Sequence, residues 1–364
     1  MNDDRASTRY VALDFYRFVA AFLVVLFHYS KYTDKTWIFS GVDKFGYFVD
    51  FFFMLSGYII FLTYGHKISS LTGYFDFIWR RLARIYPIHV GTLIFYTVIL
   101  GFINVFGVSI SDPAKYNIDA LPFQFTLTQV WGVNYGLTFN YPAWSISAEW
   151  FLYIIFPFLA ILARLNWLLA VAISLVWIGV CVTLIEMGNF ADWDVWIGPF
   201  ALLRAFPLFL LGVTICRCIE MHDLKMPSLI PGVLAFVLAI LLTVEGVATP
   251  FILAAFAAAV ALTAMAERNG ATPIFGGAIC RSLGDASYAI YMIHAPVATI
   301  ALQLGGLRFL RLSPAEMVWL ALPVALAVIP LASLVHRWFE GPARQKMNAM
   351  SPAIRLSWMS RKSY

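Results

Sequence analysis

The sequence predicts an all-α polytopic integral membrane protein with about ten transmembrane helices. Hydrophobic residues make up 61% of the 364 residues, and charged residues only 12%. The mean hydropathy is +0.79, which is far too high for a water-soluble globular protein. The apolar residues also fall into runs long enough to cross a bilayer, separated by short polar breaks.

The polar breaks define the individual elements in order. The ten predicted spans lie at residues 10–30, 46–65, 88–107, 149–163, 166–187, 200–215, 228–246, 249–266, 287–306 and 316–336. The fourth and sixth runs are short, which is typical of tilted, interrupted or partly re-entrant segments. We expect one membrane domain over residues 1–345 and a short cytoplasmic tail over 346–364, because no linker-like or low-complexity stretch separates a second domain.

Lys and Arg are distributed unevenly between the predicted loops. The side that carries the termini receives most of them, whereas the opposite side has only Lys31, Lys35, Lys44, Lys115, Arg308 and Arg311. The positive-inside rule therefore places both termini in the cytoplasm and the protein in the cytoplasmic (inner) membrane. The first span lacks the small-residue cleavage pattern of a signal peptide, so we expect it to be retained.

The remaining composition argues against several other kinds of site. The net charge of +5 reflects topology and attraction to anionic lipid, since no basic and aromatic module indicates a nucleic-acid partner. The four cysteines have neither zinc-like nor disulfide-framework spacing, so we expect no metal.

The first span carries three polar side chains in a segment otherwise suited to lipid: Asp14, Arg17 and His28. A charged group at membrane depth is costly unless it faces protein or water, so these residues are functional candidates. Eleven helical positions bring Arg17 and His28 to within about 20° of one face, about 16 Å apart along the axis. The alternative is an Arg–Asp packing pair together with an interfacial histidine.

Two clusters follow on the second and third spans. Asp50 and Ser56, in GYFVDFFFMLSGY, are interpreted either as lining a substrate path or as part of a packing seam. Arg81 and Arg84, in RRLARIYP, are i and i+3 on a helix, which lets both guanidiniums hold a phosphate or pyrophosphate. Arg80 is kept with them as a donor-binding candidate, although it suits the plainer role of a topology signal.

The fourth span begins irregularly at NYPAWSISAEW. Asn140, Trp144 and Ser147 are candidates to line a cavity, because polar groups and irregular backbone at membrane depth need protein or water around them. Glu149 is a candidate acid–base partner or a group that orients a histidine. The alternative for Glu149 is a structural ion pair with a buried arginine such as Arg204.

The ninth span begins with LGDASYAIYMIH. Its Tyr288, Tyr291 and His294 are candidates to line the substrate path. The alternative is an aromatic belt at the membrane interface with a hydrogen-bonded histidine inside the bundle.

Taken in order, these clusters resemble the membrane acyltransferase 3 family. The segment LDFYRFVAAFLVVLFH is similar to the family's LD-x-x-R opening with its R-x10-H signature. The match continues through VDFFFMLSGY, RRLARIYP, NYPAWSISAEWFLY, LGDASYAIYMIH and HRWFEGPAR, from residue 11 to about 345. Tyr58 and Trp150 depart from the family, which often has Phe and a second acidic residue at these positions.

The resemblance implies an enzyme that transfers an acyl group, usually acetyl from acetyl-CoA, to a hydroxyl of an envelope or exported carbohydrate or a lipid-linked sugar. It maps the catalytic histidine to His28, the motif arginine to Arg17 and the R-x-x-R pair to Arg81 and Arg84. The phosphates of acyl-CoA would bind the arginine pair, while the neutral arm of the donor reaches His28 as general base or covalent acyl carrier.

The roles of the nearby charges remain open from sequence alone. Glu149 or Asp14 is expected to hold the tautomer of His28, and Arg17 to pair with Asp14 or to stabilise developing negative charge. A transporter of a lipid-linked sugar or metabolite would also place Arg, His and Glu along a path, and a membrane scaffold is a weaker alternative.

Overall fold

The computed structural model describes residues 9–34, 41–106, 112–133, 137–188, 190–272 and 277–351. Within these ranges the chain is helical and forms no β-strand. The main helices are α1 (Val11–Ser30), α2 (Phe48–Tyr64), α3 (Leu71–Val105), α4 (Leu121–Thr126), α5 (Trp144–Leu165), α6 (Trp167–Glu186), α7 (Ala201–Met221), α8 (Ile230–Val244), α9 (Thr249–Arg268), α10 (Gly277–Ala298), α11 (Pro314–Val335) and α12 (Gly341–Ala349). Two π-helical segments, Thr299–Phe309 and His336–Glu340, extend α10 and α11.

Each of the ten predicted spans corresponds to a helix. In the described part of the chain, nine helical segments are long and apolar enough to cross a bilayer, and α8 is a shorter apolar helix. This confirms the predicted fold class, an all-α polytopic membrane protein.

Several predicted boundaries are wrong. The fourth and sixth spans are not interrupted, because α5 and α7 are continuous helices of 22 and 21 residues. Polar residues at the start of α5 and the end of α7 hide these helical turns in the sequence. The third helix begins at Leu71 rather than at 88, so the arginine cluster lies within it. The predicted tail boundary falls inside α12, and residues 352–364 lie outside the described ranges.

Helices α1 and α10 pack side by side and run in the same direction. Near their starts, a Cβ added to Gly284 of α10 would lie 2.6 Å from the Cβ of Asp14. Near their ends, the rings of His28 and His294 are stacked with centroids 5.0 Å apart. The polar face of α1 therefore lies along α10 over most of its length.

Helix α3 runs parallel to α10 as well. The Tyr288 hydroxyl donates to the Ile85 carbonyl at 2.5 Å. Eleven residues further along both helices, the Tyr96 hydroxyl lies 3.2 Å from Thr299 Oγ1. The first, third and ninth spans thus share one direction, as alternating spans require.

Helices α2 and α7 approach each other so closely that two positions of the contact have room only for glycine. A Cβ on Gly57 would lie 2.0 Å from the Phe209 carbonyl oxygen, and one on Gly212 would lie 1.9 Å from that of Met54. Small residues at such positions let helices pack tightly in a membrane, where apolar surfaces gain little from leaving lipid. The pair fixes the position of α2, which supplies a wall of the site described next.

Candidate active site

A cavity opens between α1, α2, α3, α5 and α10. Its lining combines polar side chains with apolar and aromatic ones, most of which belong to α2. The polar residues that line it are Arg17, Ser56, Arg81, Arg84, Ser145, Glu149, Tyr153, Ser287, Tyr288 and Tyr291. Five helices distant in sequence thus bring together seven of the residues predicted to form the site.

The three cavity arginines have few protein partners. Arg81 lies over the ring of Tyr64 at 5.2 Å, and its Nη2 donates to the Tyr64 hydroxyl at 3.4 Å. Its buried Nε has no hydrogen-bond partner in the described chain. Arg84 forms no hydrogen bond or ion pair with any residue that the structure describes. Such unpaired guanidiniums at a cavity wall suit an anionic ligand, because each keeps donors free for phosphate oxygens.

Arg17 is held by a carboxylate network at the start of α1. Its Nη1 lies 3.3 Å from Asp14, which also accepts from Arg9 Nε at 2.5 Å. Arg9 in turn donates to Asp285 at 2.6 Å. Burial lowers the pKa of the Arg9 guanidinium, but the hydrogen bonds to Asp285 and Asp14 outweigh it, so its pKa lies above the ordinary value. The expected pairing of Arg17 with Asp14 is therefore present.

Glu149 faces the cavity and accepts a hydrogen bond from Ser56. It does not pair with Arg204, which the sequence left as its alternative partner. Neither Glu149 nor Asp14 forms a hydrogen bond with His28 in the described chain, so the structure does not bring either carboxylate to the imidazole. Both carboxylates belong to the arginine end of the molecule, where they offset part of its positive charge.

His28 lies at the other end of α1, outside the cavity lining. Its ring is half-buried and contacts the rings of Tyr141 at 4.7 Å, Phe27 at 4.8 Å and His294 at 5.0 Å. No residue in the described ranges forms a hydrogen bond with it. An imidazole without a fixed protein partner leaves its ring nitrogens available to a substrate.

Tyr291 contacts both the cavity wall and the histidine pair. Its hydroxyl lies 2.7 Å from Ser145 Oγ at the cavity wall, and its carbonyl accepts from His294 Nδ1 at 2.7 Å. Tyr288, one turn earlier on α10, also lines the cavity. Tyr291 therefore links the cavity wall to His294, whose ring stacks on that of His28.

Asp50 is not part of the substrate path. It forms a fully buried ion pair with Arg204, whose Nε lies 2.7 Å from Asp50 Oδ1. Trp193 Nε1 donates to the same carboxylate at 3.1 Å, and Arg204 also donates to the Gly46 and Asp194 carbonyls. The sequence could not reveal this role, because a buried structural carboxylate and a substrate-binding one look alike until the partner is known.

Three further candidates are structural as well. Asn140 donates to the Met292 carbonyl at 3.0 Å. That carbonyl lacks its helical donor, because Pro296 has no N–H. Ser147 donates to the Leu127 carbonyl at 2.8 Å. Trp144 is buried, and the guanidinium carbon of Arg204 lies 5.5 Å from the centroid of the Trp144 ring.

Arg80 is not among the residues that line the cavity, and it pairs with Asp76 at 2.7 Å. The structure therefore does not bring it into the cavity with Arg81 and Arg84, and its plainer interpretation as a topology signal fits this geometry.

The sequence reasoning missed four residues of the site: Ser145, Tyr153 and Ser287, which line the cavity, and Arg344 beside it. Tyr153 lines the cavity one helical turn after Glu149, so an i, i+4 reading of α5 would have found it. Arg344 on α12 interacts electrostatically with Arg84, Arg81 and Arg17. Its only signal was its place in the closing segment HRWFEGPAR, since nothing local in that segment indicates that α12 packs against α3.

The comparisons with known proteins identify the family of the chain. The model of the acyltransferase 3 family, described as an acyltransferase domain, matches residues 10–337. The chain belongs to this family. Acyltransferase MdmB of Streptomyces mycarofaciens is 27% identical over 337 residues, which cover 84% of this chain and 82% of that protein. No solved structure matches the chain at a significant level.

Membership of the acyltransferase 3 family decides between the predicted function classes. The protein is a membrane acyltransferase, an enzyme, rather than a transporter or a scaffold.

Proposed function

We propose that this acyltransferase moves an acyl group, most simply acetyl, from acyl-CoA to a hydroxyl of an envelope or exported carbohydrate or a lipid-linked sugar. The observation that carries the proposal is the cavity itself, which combines three arginines with apolar and aromatic side chains. Acyl-CoA is complementary to both parts of this cavity, since its phosphates are strongly anionic and its acyl arm is neutral.

The donor binds with its phosphates at Arg81 and Arg84, which lie on one face of α3 and lack carboxylate partners among the described residues. Charge-assisted hydrogen bonds of this type are the strong ones. The neutral arm then extends along α1 towards His28, about 16 Å beyond Arg17. The side chain of Tyr291, which lines the cavity and lies against Ser145 in its wall, moves aside to let the thioester pass.

At the far end, His28 takes the proton of the acceptor hydroxyl as the oxygen attacks the thioester carbonyl. The tetrahedral intermediate collapses, the carbon–sulfur bond breaks, and the thiolate of CoA takes the proton back from the imidazolium. A route through an acyl-imidazole uses the same residue and ends with the same products. The ring of Tyr141 beside His28 suits a sugar, which presents an apolar face together with hydroxyls.

The test compares cells that express the wild-type protein with cells that express His28→Ala. Mass spectrometry of extracted envelope carbohydrates should show acetyl esters that depend on the protein and that fall at least ~10²-fold in the variant, as for the loss of a general base. Purified His28→Ala protein should still bind acetyl-CoA. His66→Ala is the matched control, because His66 pairs with Glu220 and lies outside the cavity lining and the histidine pair. Wild-type amounts of acetyl ester in His28→Ala cells would overturn the proposal.

A further inference from the structure

His294 carries a hydrogen-bond acceptor that has no donor. Its Nδ1 lies 2.7 Å from the Tyr291 carbonyl, and a carbonyl oxygen only accepts, so the proton of the neutral ring is on Nδ1. Nε2 is then left with a free lone pair. That atom is buried and has no hydrogen-bond partner in the described chain. A buried polar atom without a partner is destabilising, so its presence calls for an explanation.

The position of His294 is fixed from two sides. The Tyr29 hydroxyl, next to His28 in the sequence, donates to the His294 carbonyl at 2.9 Å. The hydrogen bond from Nδ1 to Tyr291 fixes the ring. The His294 side chain is fully buried, whereas His28 is half-buried and has no hydrogen bond to hold it. One imidazole is therefore pre-organised and the other is free to turn.

The two rings are close enough to form a hydrogen bond. Their centroids are 5.0 Å apart and their planes 20° from parallel, so they are stacked in the present arrangement. Each nitrogen lies on the rim of its ring, so a rotation of His28 that turns one nitrogen towards His294 Nε2 shortens the distance between the two atoms and would allow a hydrogen bond. A catalytic base is commonly oriented by a third group, and neither Asp14 nor Glu149 forms a hydrogen bond with His28 in the described chain.

We propose that His294 is the positioning residue of His28, which rests on the proposed function of His28 as the base. When one His28 nitrogen takes the proton of the acceptor hydroxyl, the N–H on the opposite side of the ring donates to His294 Nε2. His294 stays neutral and keeps its own proton on Nδ1 throughout. The imidazolium later returns its proton to the thiolate of CoA, so no proton is gained or lost.

The test uses two variants, each of which keeps one of the two hydrogen-bonding groups of the His294 ring. His294→Asn retains a donor for the Tyr291 carbonyl but has no acceptor at the position of Nε2. His294→Gln retains an acceptor near that position but loses the donor at Nδ1. Transfer is measured with purified protein, acetyl-CoA and the glycan fraction extracted from cells that lack the protein. Binding of acetyl-CoA reports that each variant is folded.

The proposal expects His294→Asn to lower kcat about tenfold or more, with the KM for the glycan fraction and the binding of acetyl-CoA unchanged. His294→Gln should keep at least a tenth of the wild-type kcat. If His294 only supported the fold, the order would be reversed, because Asn keeps the hydrogen bond to Tyr291 and Gln does not. If His294→Asn does not fold, a kcat for His294→Gln below a tenth of wild type overturns the proposal.

Two other results are also decisive. A raised KM for the glycan fraction with unchanged kcat in His294→Asn would overturn the proposal, since Nε2 would then bind the acceptor rather than His28. A wild-type protein that transfers no acetyl group would refute the proposed function itself, which none of the variant results would do.

Discussion

Three arginines on one turn of α3 differ in what surrounds each side chain. Arg80 is neutralised by Asp76, whereas Arg81 and Arg84 face the cavity without a carboxylate partner in the described ranges. Four positive charges meet at this end of the site when Arg17 and Arg344 are included. Like charges held together in a partly apolar environment repel one another, and an anionic ligand bound between them would offset this repulsion.

Replacing both Arg81 and Arg84 with Gln should raise the Kd for acetyl-CoA about tenfold or more, because each lost charge-assisted hydrogen bond is worth about 1.5–3 kcal/mol. Lysine at both positions should restore only part of the affinity, since the planar fork is lost. Titration calorimetry on protein in nanodiscs measures both effects. Arg80→Gln is the matched control and should bind as wild type does. Unchanged affinity in the double variant would return the pair to the role of a topology signal.

Sequence reasoning found most of the cavity but not the division of its roles. Arg17 and Glu149 were identified because charged groups are costly at membrane depth, and Arg81 and Arg84 because their i, i+3 spacing suits a phosphate. The first criterion also selected Asp50, whose partner Arg204 is distant in the chain. The free-energy cost of a charged group at membrane depth indicates that the group has a partner. It does not indicate whether the partner is another side chain or a substrate.

The helices themselves show a second limit of sequence reasoning. Apolar runs located all ten elements but misjudged the ends of α3, α5 and α7, where polar residues occupy helical turns. Hydropathy measures how well a residue suits lipid, and the cavity-facing turns of α3 and α5 do not face lipid. The places where the predicted boundaries fail in α3 and α5 are therefore close to the site.

The contact between α2 and α7 should be sensitive to a single methyl group. Gly57→Ala places a Cβ against the Phe209 backbone, which cannot move as the end of a flexible side chain would. Overpacking of this kind costs about 1–3 kcal/mol, so the thermal unfolding temperature in detergent should fall. Gly179→Ala is the control on α6, where a Cβ meets nothing within 4 Å. Equal unfolding temperatures for the two variants would contradict the close packing of α2 and α7.

On the scale of the whole molecule, both ends of the described chain lie at one end of the bundle. Arg9 donates to Asp285 near the start of α10, and Trp79 near the start of α3 donates to the Met347 carbonyl of α12 at 2.6 Å. For both ends to lie on the same side, the chain must cross the membrane an even number of times. The nine long helices of the described chain give an odd number, so α8 is the tenth crossing in spite of its 15 residues.

Under the proposed function, this arrangement would place donor binding and acyl transfer at different depths of the membrane. The arginine cavity lies towards the end that carries the termini, and His28 lies towards the other end of α1. The excess of Lys and Arg predicts that the first end is cytoplasmic. A nucleotide with several phosphates cannot follow into the apolar interior at reasonable cost, but a neutral acyl arm can.

Transfer should therefore require the donor and the acceptor on opposite faces. In sealed proteoliposomes, molecules with their termini outside are selected by protease accessibility of a C-terminal tag. Acetyl-CoA added outside should label the glycan fraction enclosed in the lumen, and acetyl-CoA enclosed in the lumen should not label glycan added outside. The double variant of Arg81 and Arg84 should lower labelling at limiting acetyl-CoA without changing the sidedness, because it weakens donor binding alone. Product formed only when donor and glycan share the outer face would contradict passage of the acyl group through the protein. The enzyme would then work on one face of the membrane, with His28 reached by a path other than the cavity.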